Sequence, residues 1–399
     1  PKTTTFTAVN GEGYFVDTSS GGVTVNLPAG SAGAIVAFAD YTRSFGTNQL
    51  TITPNGSNKI GGIAANAFLN VDGQSATFVF VDSTEGWINV QETQTSQTAN
   101  PFIQATGGTE STSGNCKIHT FTGPGTFTVT AAAICAANNV VSHLVIAGGG
   151  AGGTPSGSGG SGGGGAGGFR EVKSPTTPYT ASPLDGYSCA PNRVTVTATA
   201  FPITVGAGGA AMPSGPGGAC GAGNSGNPST FSTVTSAGGG GGGGKDSAGC
   251  GENGVAGGSG GGARYGPNTA GAGNTPPVSP AQGQNGGASP SNTRSAAGGG
   301  GAGAVGSNGA PGSGYPTGSQ PGGDGGDGVA SEITASPVSY SGGGGGGRYA
   351  GTNGAGGTGG GGTAGNPGTN GTDNTGGGGG GGSYPASGTS GAGGSGIVV

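Results

Sequence analysis

Two uninterrupted runs of seven glycines, at 238–244 and 376–382, limit what this chain can fold into. A stretch with no side chains cannot contribute to a hydrophobic core and loses the most backbone entropy on ordering. Such a segment is either disordered or folded by packing backbone against backbone. Glycine is 106 of the 399 residues, most of it beyond residue 147, and with 25 prolines the composition reads as low-complexity. Two features favour order. Charged residues are only 7%, whereas disordered chains carry many. Short apolar segments also recur between the tracts, at 144–147, 194–197, 203–205, 231–235 and 397–399.

An ordered glycine tract has one obvious form. A polyglycine II helix has polyproline-like dihedrals, three residues per turn and a rise of about 3.1 Å, so seven residues span about 22 Å. It makes no internal hydrogen bonds, so every N–H and C=O points outward and needs a partner. Bare backbones can approach closely enough to bond to each other, with Cα–H···O contacts adding to this. Six tracts are rich enough in glycine to be rods: around 148–168, 238–244, 255–263, 298–304, 342–347 and 356–382, the last divided in two near 366–370. Gly238, Gly241, Gly244, Gly342, Gly347, Gly376, Gly379 and Gly382 are the expected structural glycines. Collagen is excluded because glycine-free spacers such as 231–235 break its period.

Residues 1–93 read differently. Period-two segments at 3–9, 13–17, 23–27, 34–38, 50–53, 76–81 and 86–90 are strand candidates, separated by turn residues at 20–22, 28–30, 55–56 and 72–73. This density of short strands suits a sandwich or small barrel, with Trp87, the sole tryptophan, plugging the core. Exposed instead, Trp87 would stack on carbohydrate. Residues 94–115 read as a polar linker, and 116–399 as the glycine-rich domain. The fold class is therefore an all-β N-terminal sandwich or small barrel, followed by β-strands and a bundle of polyglycine-II helices with little or no α-helix.

Catalysis finds no support. His119 and His143 lie in strand-like segments, the carboxylates are scattered, and no pair of them reads as a cleft; the chain is expected not to be an enzyme. No cofactor is expected: GxGxxG matches are inevitable in such a composition and lack a strand–loop–helix context. Asp324 and Asp327, in GGDGGDG, resemble a fragment of a calcium-binding repeat, but one copy falls short of six to eight oxygen ligands. Five cysteines sit at 116, 135, 189, 220 and 250, at no zinc spacing. Cys116 and Cys135 bracket an expected hairpin (117–122 with 126–130), and Cys220 and Cys250 bracket the first glycine run. Disulfides or buried thiols are the readings for these four, and an oxidising extracellular setting suits them. Eleven basic residues are spread singly, so no nucleic-acid footprint exists. No apolar stretch approaches a membrane span. No signal-peptide pattern opens the sequence, and Pro1 would fit a removed leader or initiator Met.

Tyr and Arg beside the tracts are the candidate binding residues: Arg264, Tyr265, Tyr315, Tyr340, Arg348, Tyr349 and Tyr384. At rod ends they would project from a surface otherwise poor in side chains, and both types are enriched in binding hot spots. Capping of the rods by the same tyrosines is the competing reading. Phe169, Arg170 and Glu171 read as structural.

Two resemblances bear on function. YFVDTSSGGVTVNLPAG (14–30), AFADYTRSFGTNQLTITPNGSNKIGG (37–62) and GWINVQE (86–92) resemble a small β module of tail fibres and spikes of tailed bacteriophages, marine ones especially. HTFTGPGTFTVT (119–130), HLVIAGGGAGG (143–153), GGGGAGGFRE (162–171), ITVGAGG (203–209), NPSTFSTVTSAGGGGGG (227–243) and GGSGIVV (393–399) resemble the glycine-rich C-terminal domain of phage tail-fibre proteins. The tip adhesins of T-even-like phages are a more distant likeness. The resemblance implies a tail-fibre or virion adhesin outside the cell, with a rod scaffold whose end loops bind a host surface glycan or outer-membrane protein. It also implies a homotrimer joined to other tail or fibre proteins through the N-terminal module; the scattered charge and the lack of a long apolar stretch add the expectation of no nucleic acid and no membrane insertion. The cysteines and loops such as 174–192 depart from the pattern. A structural virion or extracellular filament protein without a receptor is the alternative. The position of the loops separates the two, since one exposed tip suits adhesion and burial between subunits suits assembly.

Overall fold

The computed structural model describes residues 1–90, 102–154, 159–213, 221–244, 252–291, 293–311, 320–385 and 389–399. The chain forms two compact units: Pro1–Ala105 with Val129–Asn139 and Val196–Thr199, and Thr106–Thr128 with Val140–Thr195 and Ala200–Val399. Among the described residues there is no α-helix, only the 3-10 turns Ala136–Asn139 and Ala190–Asn192. No helix there is long and apolar enough to cross a membrane.

The first unit holds a β-sandwich. Its strands are β1 (Phe6–Thr7), β2 (Glu12–Val16), β3 (Val23–Asn26), β4 (Ile35–Asp40), β5 (Leu50–Thr53), β6 (Ala67–Leu69), β7 (Ser75–Phe80) and β8 (Trp87–Asn89). They build two four-stranded sheets, ordered β1-β3-β5-β6 and β2-β4-β7-β8. Strands β1 to β5 alternate between the sheets, so the parallel pairs β1–β3, β3–β5 and β2–β4 arise because the chain crosses to the other sheet and back. That crossing supplies the connection that parallel strands need without a helix. The alternation of side chains does the rest: Val23, Val25, Leu50 and Ile52 point inward and are at most 2% exposed, while Thr24, Asn26, Thr51 and Thr53 face out. Trp87 is fully buried, edge-on to Phe80 at 5.5 Å, which removes it from any carbohydrate surface.

In the second unit strands turn into rods. His143–Ile146 pairs antiparallel with Phe169–Val172 and with Ile397–Val398. Beyond Ile146 the first pairing keeps its register but changes its period: Ala147 bonds to Gly168, Gly150 to Gly165 and Gly153 to Gly162, one N–H···O bond every third residue. The hairpin Val329–Ser331 with Val338–Tyr340 continues likewise into Gly343–Gly326 and Gly346–Gly323 bonds, and Ser229–Phe231 with Val234–Ser236 into Gly226–Gly239 and Gly223–Gly242. Once glycine replaces side chains, the extended strand coils into a threefold helix whose donors point in three directions.

Rod 159–168 lies at the centre. Its N–H groups at 160, 163 and 166 donate to Arg294, Ala297 and Gly300; those at 161, 164 and 167 to Gly382, Gly379 and Gly376; those at 162, 165 and 168 to Gly243, Gly240 and Ala237. Its carbonyls accept from Gly150 and Gly153, from Ser259 and Gly262, and from Gly344 and Gly347. Six rods therefore surround it: 147–154, 236–244, 259–264, 294–302, 341–348 and 376–383. These six also bond to one another around the ring, through Gly239–Gly148, Gly240–Ser259, Ala297–Ala263, Gly299–Gly344, Gly378–Gly342 and Gly379–Gly150. This is hexagonal packing held by backbone. A β-carbon built at Gly164 would meet the carbonyl of Gly150, and one at Gly241 that of Gly223, closer than the 3.0 Å that real β-carbons respect. The same holds at Gly238, Gly244, Gly342, Gly347 and Gly379, while Gly376 opens its rod at φ +71 and Gly382 bonds to Ser161.

Outer rods need less glycine. Asn and Asp there reach across to the amide of the next rod: Asn253 to Thr269, Asn285 to Gly273, Asn308 to Ala288, Asp324 to Ala355, Asp327 to Thr358, Asn370 to Ala392 and Asp373 to Ser395, at 2.7–3.0 Å. All seven are exposed.

Several expectations change. The 148–168 tract is two antiparallel rods, 255–263 spans two rods that meet at Gly258 and Ser259, and 356–382 folds into more than two. Rods such as 205–212, 268–275 and 389–396 carry no long glycine run and escape a search for one. Residues 109–113, read as linker, form the strand Thr109–Ser113 paired with Cys116–Thr120. The expected hairpin 117–122 with 126–130 does not form, because Gly125–Ala131 pairs with Ala200–Thr204 instead. The disulfide reading of Cys116 and Cys135 is corrected with it: Cys116, Cys135 and Cys189 are free thiols, Cys135 being exposed. Cys220 and Cys250 lie outside the described residues.

Candidate functional site

The register sorts the two ends of the bundle. At the 168 end the rods run into strands and an apolar cluster of Leu144, Ile146, Phe169, Ala302, Ile333, Tyr340 and Ile397. At the 160 end, rods 147–154, 236–244, 259–264, 341–348 and 376–383 stop, and rods 159–168 and 294–302 begin. There Arg264, Tyr265, Arg294, Arg348, Tyr349 and Tyr384 gather.

Tyr265 covers the start of the central rod: its amide bonds to Gly160, and its ring occupies the space that a β-carbon at Gly159 would need. Arg264 is buried under it, ion-paired with Glu252, with its guanidinium 4.3 Å from the Tyr265 ring centroid and an N–H donated to the Tyr265 hydroxyl at 2.8 Å. Beside this pair stands a second stack. The Arg294 guanidinium lies 5.1 Å from the centroid of Tyr349, and Tyr349 stacks on Tyr384 at 4.7 Å with 30° between the planes. The Tyr384 amide donates to the Arg348 carbonyl, and the Arg348 amide donates to the Ser383 hydroxyl. Ser383 is held in turn by Asn353 at 2.8 Å. Arg294, Arg348, Tyr349 and Tyr384 are half-buried. Planar groups on a rigid end offer faces for stacking and donors for anions, with little ordering cost on binding.

The structure thus brings together Arg264, Tyr265, Arg348, Tyr349 and Tyr384 of the sequence candidates. It does not place Tyr340 with them. Tyr340 is 3% exposed at the opposite end, packed in the apolar cluster, because it closes a hairpin strand. Its expected surface role is corrected to a core one. Tyr315 lies outside the described residues. Arg294 was missed by sequence reasoning; the signal was available, since it immediately precedes the tract 295–303 much as Arg170 follows another.

Other chemistry-bearing groups are accounted for structurally. Glu171, 2% exposed, accepts the Ser182 amide at 2.8 Å and the Ser331 hydroxyl. Nδ1 of His119 lies 2.8 Å from the Gly107 carbonyl. His143 is buried against Phe231, and burial pushes its pKa down to about 4. Among the described residues no group of three or more His, Cys, Asp or Glu gathers. Asp324 and Asp327 are three apart because that is the period of the rods, as their bonds to Ala355 and Thr358 require.

A family model described as a glycine-rich domain matches residues 120–399, and the chain belongs to that family. No protein of curated function matches the sequence.

Proposed function

We propose that the chain is an adhesin of a phage tail fibre or virion, carried outside the cell, which recognises a host surface receptor through the 160 end of its glycine bundle. The observation that carries this reading is the segregation of side chains. The bundle interior has almost none, and stacked Arg and Tyr stand together at one end, opposite the strands into which the rods run. A rigid scaffold with binding groups at its loops separates specificity from folding. The sequence likeness to tail-fibre domains points the same way. Attachment to other fibre proteins, or to further copies as a trimer, falls to the sandwich, whose sheet β2-β4-β7-β8 leaves Phe15 62% and Ile35 45% exposed.

That apolar face also favours the second reading, a structural filament protein with no receptor. Labelled full-length chain added to candidate host bacteria tests between them. Saturable adsorption that Tyr349→Ala and Tyr384→Ala abolish supports the adhesin. Assembly without adsorption to any host, or adsorption indifferent to both variants, overturns it.

A further inference from the structure

Resting on the attachment reading, we propose that Tyr384 and Arg348 form a subsite for an anionic sugar, a pyranose ring carrying a carboxylate or a phosphate. Tyr349 is engaged by the Arg294 guanidinium and by Tyr384, so among the described residues Tyr384 is the terminal ring of the stack. Its hydroxyl, like that of Tyr349, has no hydrogen-bond partner among the described residues and remains available to sugar hydroxyls. An aromatic face in this position meets the apolar C–H face of a pyranose. A flat ring on a rigid support gives that contact at little entropic cost.

The anionic part follows from the charge inventory. Arg348 is half-buried, and its guanidinium has no ion-pair or hydrogen-bond partner among the described residues. Its backbone is tied to Ser383 and Tyr384 on the neighbouring rod, so the cation and the ring originate from adjacent rod ends. Arg294 adds positive potential through the stack. Among the described residues, Glu252 at this end is already paired with Arg264. A guanidinium fork carried on the rod end next to that of the ring matches a planar carboxylate or a phosphate attached to a sugar, and a neutral sugar would leave that cation unused.

Calorimetric titration of the full chain with three probes tests this: tetragalacturonate, a phosphorylated lipopolysaccharide core oligosaccharide, and neutral maltotetraose. The expected result is binding of one or both anionic probes and none of maltotetraose, and the probe that binds identifies carboxylate or phosphate as the anion. Arg348→Gln should weaken binding about tenfold or more, as loss of a contact to a charged group does. Tyr384→Phe should retain most of the affinity, and Tyr384→Ala should lose it. Melting curves of Arg348→Gln and Tyr384→Phe verify that the bundle is intact, so a folding failure in the alanine variant leaves the test decisive. Binding of neither anionic probe, equal binding of maltotetraose, or an unchanged Arg348→Gln overturns the proposal. Host adsorption without sugar binding overturns this subsite and leaves the adhesin standing, pointing to a protein receptor. Sugar binding without host adsorption does the reverse.

Discussion

The sandwich and the glycine bundle solve the same problem with opposite materials. In the sandwich, Phe38, Leu50, Ile52, Phe78 and Trp87 fill the space between two sheets. In the bundle, the space between rods is filled by other rods, and the interior is peptide groups bonded to peptide groups. A side chain is the building unit in one and a defect in the other. Burial of apolar area stabilises the first at roughly 25 cal/mol per Å². The second rests on amides that contribute about 0.5–1.5 kcal/mol each when paired and cost about 1–3 kcal/mol each when buried unpaired. Its stability is thus a property of completeness, and one wedge should forfeit several bonds together.

The sharpest way to break the comparison is a small addition. Gly164→Val places branched carbons on the Gly150 carbonyl and pushes the central rod away from its ring. The expected loss exceeds about 4 kcal/mol, beyond the range of most single substitutions. Hydrogen exchange over 160–168 should show protection disappearing. Trp87 fluorescence, which reports the sandwich core, should stay native. Gly241→Val and Gly379→Val, in ring rods, should cost nearly as much. Unchanged melting in all three would mean that the rods are not packed through their backbones.

A large deletion in the sandwich gives the mirror image. Phe38→Ala removes a ring that is 1% exposed and leaves a cavity, at a cost of about 3–5 kcal/mol. Denaturant melts followed by Trp87 fluorescence check it. Removing side-chain atoms thus destabilises one region, and adding them destabilises the other.

How much of this was legible in the sequence follows the same division. The sandwich strands could be read from period-two alternation because side chains mark them. The rods could be read only where glycine is pure. Rod 205–212, with Ala207, Ala210 and Met212, carries too many side chains to stand out, since an outer rod tolerates them on its solvent side. Nothing in the two seven-residue runs reveals that the centre is 159–168, because centrality belongs to the order in which rods meet. The Arg–Tyr end was half legible: the residue types flagged Tyr349 and Tyr384, but chain position alone could not separate them from Tyr340, which lies on a strand at the far end.

Acid should distinguish the regions next. His143 lies in the strand that feeds rod 147–154, and burial lowers its pKa to about 4 from 6.5. The unfolded chain binds this proton first, so the stability contributed by neutral His143 is fully present above about pH 6.5 and is lost as pH falls towards 4. By linkage the loss is about 3 kcal/mol, confined to the glycine unit. Stability against pH in wild type and in His143→Gln checks it: the wild-type decline between pH 6.5 and 4 should flatten in the variant. The same slope in both would remove His143 as its cause.

The smallest effect belongs to the lattice edge, where the two materials meet. Asn308 and Asn370 are exposed, and each satisfies a single outer amide, at Ala288 and Ala392. Alanine at either site leaves that amide to water instead of burying it, so the cost should be about 1 kcal/mol, the net worth of one hydrogen bond. Local hydrogen exchange at residue 288 or 392 should rise while exchange along 160–168 stays unchanged. A loss as large as that of Gly164→Val would mean that the edge closes the lattice cooperatively, and that completeness extends to the outermost rod. A loss near 1 kcal/mol would place the boundary of backbone packing one rod inside the surface, where side chains again become useful.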